Sequence, residues 1–193
     1  MRTERVGFAV CGSFCTHEKV LEALARLTEE YETVIPIVSE ISAFTDTRFG
    51  TSEDLLEQLE DLTGNEVLYS IPAVEPIGPK GLLDVLVVAP ATGNTIAKLA
   101  AGITDTVVTM AVKAHLRNSR PVVIAVSSND GLAAGAKNIG ELLVRKNYYF
   151  VPFGQDNAEK KPASLVSDFS KLSETVGAAL QGRQLQPILL REA

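Results

Sequence analysis

The sequence predicts an α/β protein of the flavodoxin- and Rossmann-like kind, a three-layer α/β/α sandwich around a mostly parallel sheet of about six strands. Three observations predict it. Short runs rich in aliphatic and β-branched residues alternate along the chain with longer stretches of amphipathic spacing. Several of the short runs, such as Val85-Leu86-Val87-Val88-Ala89, are apolar throughout, as suits strands covered on both faces and joined by crossover helices. The 193 residues, 46% hydrophobic and 22% charged, suffice for one substantial core and are few for two, so residues 1–193 read as a single domain.

The predicted strands are residues 5–11, 33–38, 66–71, 84–89, 121–126 and 148–152. Between and after them, apolar spacing predicts helices over residues 17–31, 52–63, 95–101, 105–118, 132–146 and 163–181. Residues 71–81 hold Pro72, Pro76, Pro79, Gly78 and Gly81 and read as a turn-rich connection. Residues 153–162 are polar and read as a surface loop. Residues 184–193 lack turn signals and a clear period, and read either as a tail or as an arm against a neighbouring protomer.

Composition narrows the function. A net charge of −6 argues against nucleic acid as a partner, because phosphate-backbone binding needs clustered Lys and Arg. The longest apolar runs, such as residues 86–91, are far below the roughly 20 residues of a membrane span. The N-terminus opens on a strand-like run that meets Gly12 and a polar cluster rather than a cleavage-site pattern, which predicts a cytoplasmic location. Cys11 and Cys15 are four apart, not in CxxC spacing, and no other Cys/His set completes a zinc site, so no metal is expected.

In open parallel sheets ligands collect at the carboxyl ends of the strands, where helix N-termini present unpaired N–H groups. The first such loop, Cys11-Gly12-Ser13-Phe14-Cys15-Thr16, offers close backbone approach at Gly12 and hydroxyls at Ser13 and Thr16, which suits a phosphate. The competing use of Thr16 is to cap the following helix. The GxGxxG and P-loop patterns are absent, and Ser39 rather than an acidic residue ends the second strand, so a dinucleotide is disfavoured. Ser39 adds a hydroxyl to the same region. After the fourth predicted strand, Thr92, Asn94 and Thr95 supply short polar side chains able to bond a phosphate or a sugar-like chain. Ser127, Ser128 and Asn129 end the fifth predicted strand and form a third wall, with helix capping as their alternative use. Lys137 and Asn138 fall in a glycine-rich stretch, residues 135–140, suited to close packing, with a carboxylate-binding role for Lys137 as the alternative.

The most specific signal is Pro90-Ala91-Thr92-Gly93-Asn94-Thr95, opening a helix after the strand that begins at Asp84. It resembles the Pro-Ala-Ser/Thr-x-Asn-Thr signature of the flavoprotein family that includes the homo-oligomeric flavin-containing cysteine decarboxylases and the flavin prenyltransferases. There it contributes to binding FMN. The resemblance spans roughly residues 6–129. With the Gly-Ser-Phe-Cys-Thr loop and the segment Asn147-Tyr-Tyr-Phe-Val-Pro-Phe-Gly-Gln-Asp-Asn157, it extends over nearly the whole chain to a branch of the family that works as one half of a two-subunit oxidoreductase. The resemblance implies FMN, or inorganic phosphate in a site descended from an FMN site, held by Gly12, Ser13, Thr16, Ser39, Pro90, Ala91, Thr92, Asn94, Thr95, Ser127, Ser128 and Asn129. It further implies a partner subunit carrying NADP, a dicarboxylate substrate, self-assembly into a homo-oligomer, and a share in making pyridine-2,6-dicarboxylate in the mother cell of a sporulating bacterium.

The departures are equally informative. The decarboxylases carry a catalytic His eight residues before the Asp that opens the signature strand, and that position here is Pro76. Their Pro-x-Met-Asn motif is replaced by Val126-Ser127-Ser128-Asn129, which keeps only the Asn. The remaining histidines, His17 and His115, read as structural. No catalytic acid or base is assigned. Two further readings stay open: a non-catalytic partner subunit with a vestigial flavin site, and a stand-alone flavin-dependent decarboxylase or prenyltransferase.

Overall fold

A computed structural model describes residues 1–190. The chain runs β1 (Arg2–Val10), α1 (His17–Glu30), β2 (Tyr31–Val38), α2 (Glu40–Phe44), α3 (Ser52–Thr63), α4 (Ile71–Val74), β3 (Val85–Ala91), α5 (Gly93–Ala101), α6 (Val107–Leu116), β4 (Val122–Ser128), α7 (Ala136–Leu143), β5 (Tyr148–Phe150), β6 (Phe153–Asn157), β7 (Lys161–Ser167) and α8 (Leu172–Leu180). The strands form one seven-stranded sheet ordered β2-β1-β3-β4-β7-β6, with β5 also paired to β4. β1, β2, β3, β4 and β5 are parallel, whereas β7 runs antiparallel to β4 and to β6.

Alternation along the strands divides the core into two layers. Val6, Phe8 and Val10 of β1 face Val20, Leu24 and Leu27 of α1, Leu59 of α3 and Val176 of α8. Ala9 of β1, with Leu86 and Val88 of β3, faces Ile96 of α5, Val108 and Val112 of α6, and Leu142 of α7. The sheet is therefore covered on both faces, which is why β3 is buried at every position. At the amino-terminal edge, Asp84 ties three strand starts together. Its carboxylate accepts from the Arg5 backbone N–H at 2.8 Å and pairs with Arg120 at 3.0 Å. Burial pushes the Asp84 carboxyl up, but the bonds from Arg5 outweigh it and the net shift is downward.

Two predicted elements are corrected. Residues 66–71 contribute only a single bridge, Ile37 to Leu68, because Pro72 and the turn that starts α4 end the extended run as it begins. Residues 163–181 are not one helix: the first five complete β7, and α8 starts only at Leu172. Leu165, Val166, Phe169, Leu172 and Val176 are all buried and fit a helical period, but Asp168 breaks it by accepting from the Ser170 N–H at 3.0 Å. The predicted loop at residues 153–162 is instead the β6–β7 hairpin. Residues 184–190 lie against the chain's own sheet: Gln184 bonds both backbone groups of Phe150 at 2.7 Å, and Phe153 and Leu190 continue the contact. Residues 191–193 lie outside the described residues.

His115 is fully buried in α6, and its Nε2 bonds the Pro121 carbonyl at 3.0 Å. Burial pushes its pKa down to about 4. The folded chain therefore resists a proton that the unfolded chain takes up near pH 6.5, so stability falls as pH drops from 6.5 toward 4. A denaturant-unfolding series across this range is expected to lose on the order of 2–3 kcal/mol through this group, and His115→Gln is expected to flatten the slope.

Candidate functional site

The crossovers leaving β1 and β3 go to opposite faces of the sheet, so their loops part and open a crevice at the carboxyl edge. Gly12 follows β1 and Thr92 follows β3, and together they form a saddle shared by two clefts. One, of about 490 Å³, is lined by Ser39, Asn94, Thr95, Lys98, Asp105 and Thr106 beside the saddle. The other, of about 380 Å³, is lined by Ser13, Thr16, Ser127, Ser128 and Asn129, and by Asp156, Lys161 and Ser164 of the β6–β7 hairpin.

The saddle is held tightly. The Ser13 and Ser127 hydroxyls bond each other at 2.8 Å, joining the loops after β1 and β4. Thr92 is the N-cap of α5 and accepts from the Thr95 N–H at 3.2 Å, while the two hydroxyls lie 3.0 Å apart. The Thr95 hydroxyl also reaches the Cys11 sulfur at 3.4 Å. Burial pushes the Cys11 thiol up to about 11, so it stays protonated and is no nucleophile. Two points have little room for a side chain. A Cβ on Gly12 would stand 2.9 Å from Ile41 Cγ2, and one on Gly93 would stand 2.7 Å from Ser128 Oγ.

Helix α5 therefore starts under a short polar cap, with its first N–H groups facing the crevice. Its charged flanks are engaged: Lys98 pairs with Asp105 at 2.8 Å, and the Glu40 carboxylate accepts from the Val107 N–H at 2.9 Å. Neutral donors thus dominate the saddle, an arrangement suited to an anion such as a phosphomonoester.

Of the residues singled out from sequence, Gly12, Ser13, Thr16, Ser39, Thr92, Asn94, Thr95, Ser127, Ser128 and Asn129 all line one or both clefts. Pro90 and Ala91 do not; they are buried within β3 and set the height of the loop above them. Thr16 supplies no side-chain cap to α1; its hydroxyl donates to the Ser13 carbonyl at 2.7 Å. Lys137 is exposed on α7 and lines neither cleft. His17 braces the first loop through Nε2 and the Cys11 carbonyl at 2.9 Å, and burial lowers its pKa. It lines a separate hollow of about 520 Å³ between the segments that follow β1 and β2 and helices α1 and α3. Lys19, Asp156, Lys161 and Ser164 are not among the residues that sequence singles out, because the stretch that carries three of them reads as loop and helix.

A doubly wound parallel sheet with a hydroxyl-lined crevice at its switch point is the architecture of α/β proteins that hold ligands at strand ends. The sequence profile of the Flavoprotein family matches residues 1–155, and the chain belongs to that family. It is 45% identical over 190 residues to the B subunit of dipicolinate synthase from Bacillus subtilis (strain 168), covering 98% of this chain and 95% of the relative. The crystal structure of the corresponding B subunit from Bacillus halodurans C is 43% identical, covers 98% of this chain and 97% of its own, and superposes with a TM-score of 0.90. The FMN-dependent cysteine decarboxylase SpaF is 26% identical, with a TM-score of 0.66 over 93% of this chain and 97% of its own.

The Ser13–Ser127 bond is expected to couple two loops that are far apart in sequence. A double-mutant cycle with Ser13→Ala and Ser127→Ala, read by denaturant unfolding without added ligand, should return a coupling of about 1 kcal/mol. Additive effects would mean that the loops are held by other contacts.

Proposed function

We propose that this chain is the B subunit of a dipicolinate synthase, holding FMN in the crevice between β1 and β3 and acting with a pyridine-nucleotide-binding A subunit. The observation that carries the proposal is near-full-length similarity to two B subunits at 45% and 43% identity. That similarity reaches past the family profile, which ends at residue 155, into the hairpin that walls the second cleft. The higher identity favours this reading over a stand-alone decarboxylase or prenyltransferase, since the decarboxylase SpaF covers 93% of the chain at only 26% identity.

The residues present fit the cofactor. Ser13, Ser39, Thr92, Asn94 and Thr95 offer hydroxyl and amide groups beside the start of α5, and Gly12 and Gly93 keep the floor clear of side chains that would fill it. In this reading they hold the phosphate and the ribityl chain, while Ser127, Ser128 and Asn129 face the ring. Bound FMN would supply two-electron redox chemistry.

The chain's own contribution is to bind, orient and shield. Among the described residues, no imidazole lines either cleft, and the Cys11 thiol is held protonated. Ser127, tied to Ser13, fixes the third wall, and the hairpin screens one side from water. Because the position of the decarboxylases' histidine is Pro76 here, a second reading stands beside the first: this chain, its flavin site vestigial, stabilises the A subunit, which does the chemistry.

Two measurements separate these readings. The chain mixed with FMN and desalted should retain a visible flavin band near one equivalent, and Thr92→Val with Asn94→Ala should weaken FMN binding at least tenfold, with the loss of the Thr92 cap costing about 1 kcal/mol of stability. Reconstituted with the A subunit, the same variant should still form the complex but make little pyridine-2,6-dicarboxylate. Unchanged turnover would leave the second reading standing.

A further inference from the structure

The cleft under the hairpin differs in charge from the saddle beside it. The saddle is lined by neutral donors and by carboxylates already engaged, whereas the hairpin cleft is lined by two lysines from separate elements, Lys19 of α1 and Lys161 at the start of β7. Lys19 is exposed and makes no ion pair among the described residues. Lys161 meets Asp156 across the hairpin at 2.7 Å, with its side chain 58% exposed. An exposed pair of this kind is weakly held, and the ammonium keeps two further donors for an incoming group. Asp156 is the acidic side chain lining the cleft. In a chain of net charge −6, this is a local reversal of sign at the mouth of a polar cavity.

We infer that Lys19 and Lys161 are specificity-determining residues that receive the two carboxylates of a small planar dicarboxylate ring, with Ser164 and Asn129 between them. This rests on the reading above, since it assigns the substrate end of that site. The cavity's size, about 380 Å³, falls within the roughly 300–1,000 Å³ of small-molecule sites. Two cations on separate elements discriminate by number of charges: a dianion engages both, and a monocarboxylate engages one. Asp156 moderates the field, so that the pair attracts a dianion without holding product too tightly.

The test is equilibrium binding of pyridine-2,6-dicarboxylate and of pyridine-2-carboxylate to the full-length chain, with and without FMN, by calorimetry. Wild type should prefer the dicarboxylate. Lys161→Gln and Lys19→Gln should each weaken it about tenfold, matching the loss of one charge-assisted hydrogen bond, and the double variant should bind both compounds alike. Asp156→Asn should act in the opposite sense and tighten dicarboxylate binding, a gain that damage to the fold would not produce. In the reconstituted enzyme the lysine variants should raise KM more than they lower kcat. Equal dicarboxylate affinity in wild type and double variant would overturn the assignment while leaving flavin retention, and so the broader reading, intact. Failure of the wild-type chain to bind the dicarboxylate in either state would overturn it as well, whereas loss of flavin binding alone would count against the broader reading only.

Discussion

The parallel pairing of β1 with β3 is the constraint on which the rest depends. Val6 to Ala9 of β1 register against Val85 to Val88 of β3, buried on both faces, and the chain leaves these two strands toward opposite layers. The loops after them cannot close over each other, so a crevice is obligatory where they diverge. Everything placed there inherits its position from the sheet: Gly12 and Ser13 from the end of β1, Thr92 and the start of α5 from the end of β3. The bond between Ser13 and Ser127 then locks a third strand end to the first. Rigid strands hold the site, and loops supply its chemistry.

A second constraint comes from β4, whose outer edge is shared. Its first half pairs with β5 in parallel and its last two residues pair with β7 in antiparallel fashion. That change of partner sets the β6–β7 hairpin at the carboxyl end of β4, where it extends the sheet and becomes a wall of the second cleft. Gly131 is needed for this approach, because a Cβ there would stand 2.8 Å from the Leu165 side chain. The saddle is thus built from elements common to doubly wound folds, and the hairpin adds the charged wall that distinguishes the two clefts.

Much of this is legible in the sequence, for physical reasons. Strands buried on both faces announce themselves as unbroken apolar runs, as at residues 85–89, and α1 and α3 show their period cleanly because one face alone is buried. The polar residues at strand ends stand out because a parallel sheet sends its ligand-facing groups there. Prediction fails where the local pattern is ambiguous. Val67 and Leu68 look like a strand but pack as a single bridge, and the apolar residues from Leu165 to Val176 satisfy a helical period although Asp168 divides them into strand and helix. The hairpin's lysine is hidden by the same ambiguity, since a charged residue at a strand start carries no signal once the strand is missed. Charge pairing across elements, such as Asp84 with Arg5 and Arg120, is likewise invisible without the fold.

The central claim is that the crevice between β1 and β3 holds the phosphate end of FMN. The most direct test is a crystal structure of the full-length chain grown with saturating FMN. The account predicts the phosphate against Gly12, Ser13 and the first turn of α5, with the ring turned toward Ser127, Ser128 and Asn129. Flavin bound elsewhere, or clear density showing that crevice filled by the chain's own side chains at saturating FMN, would contradict it.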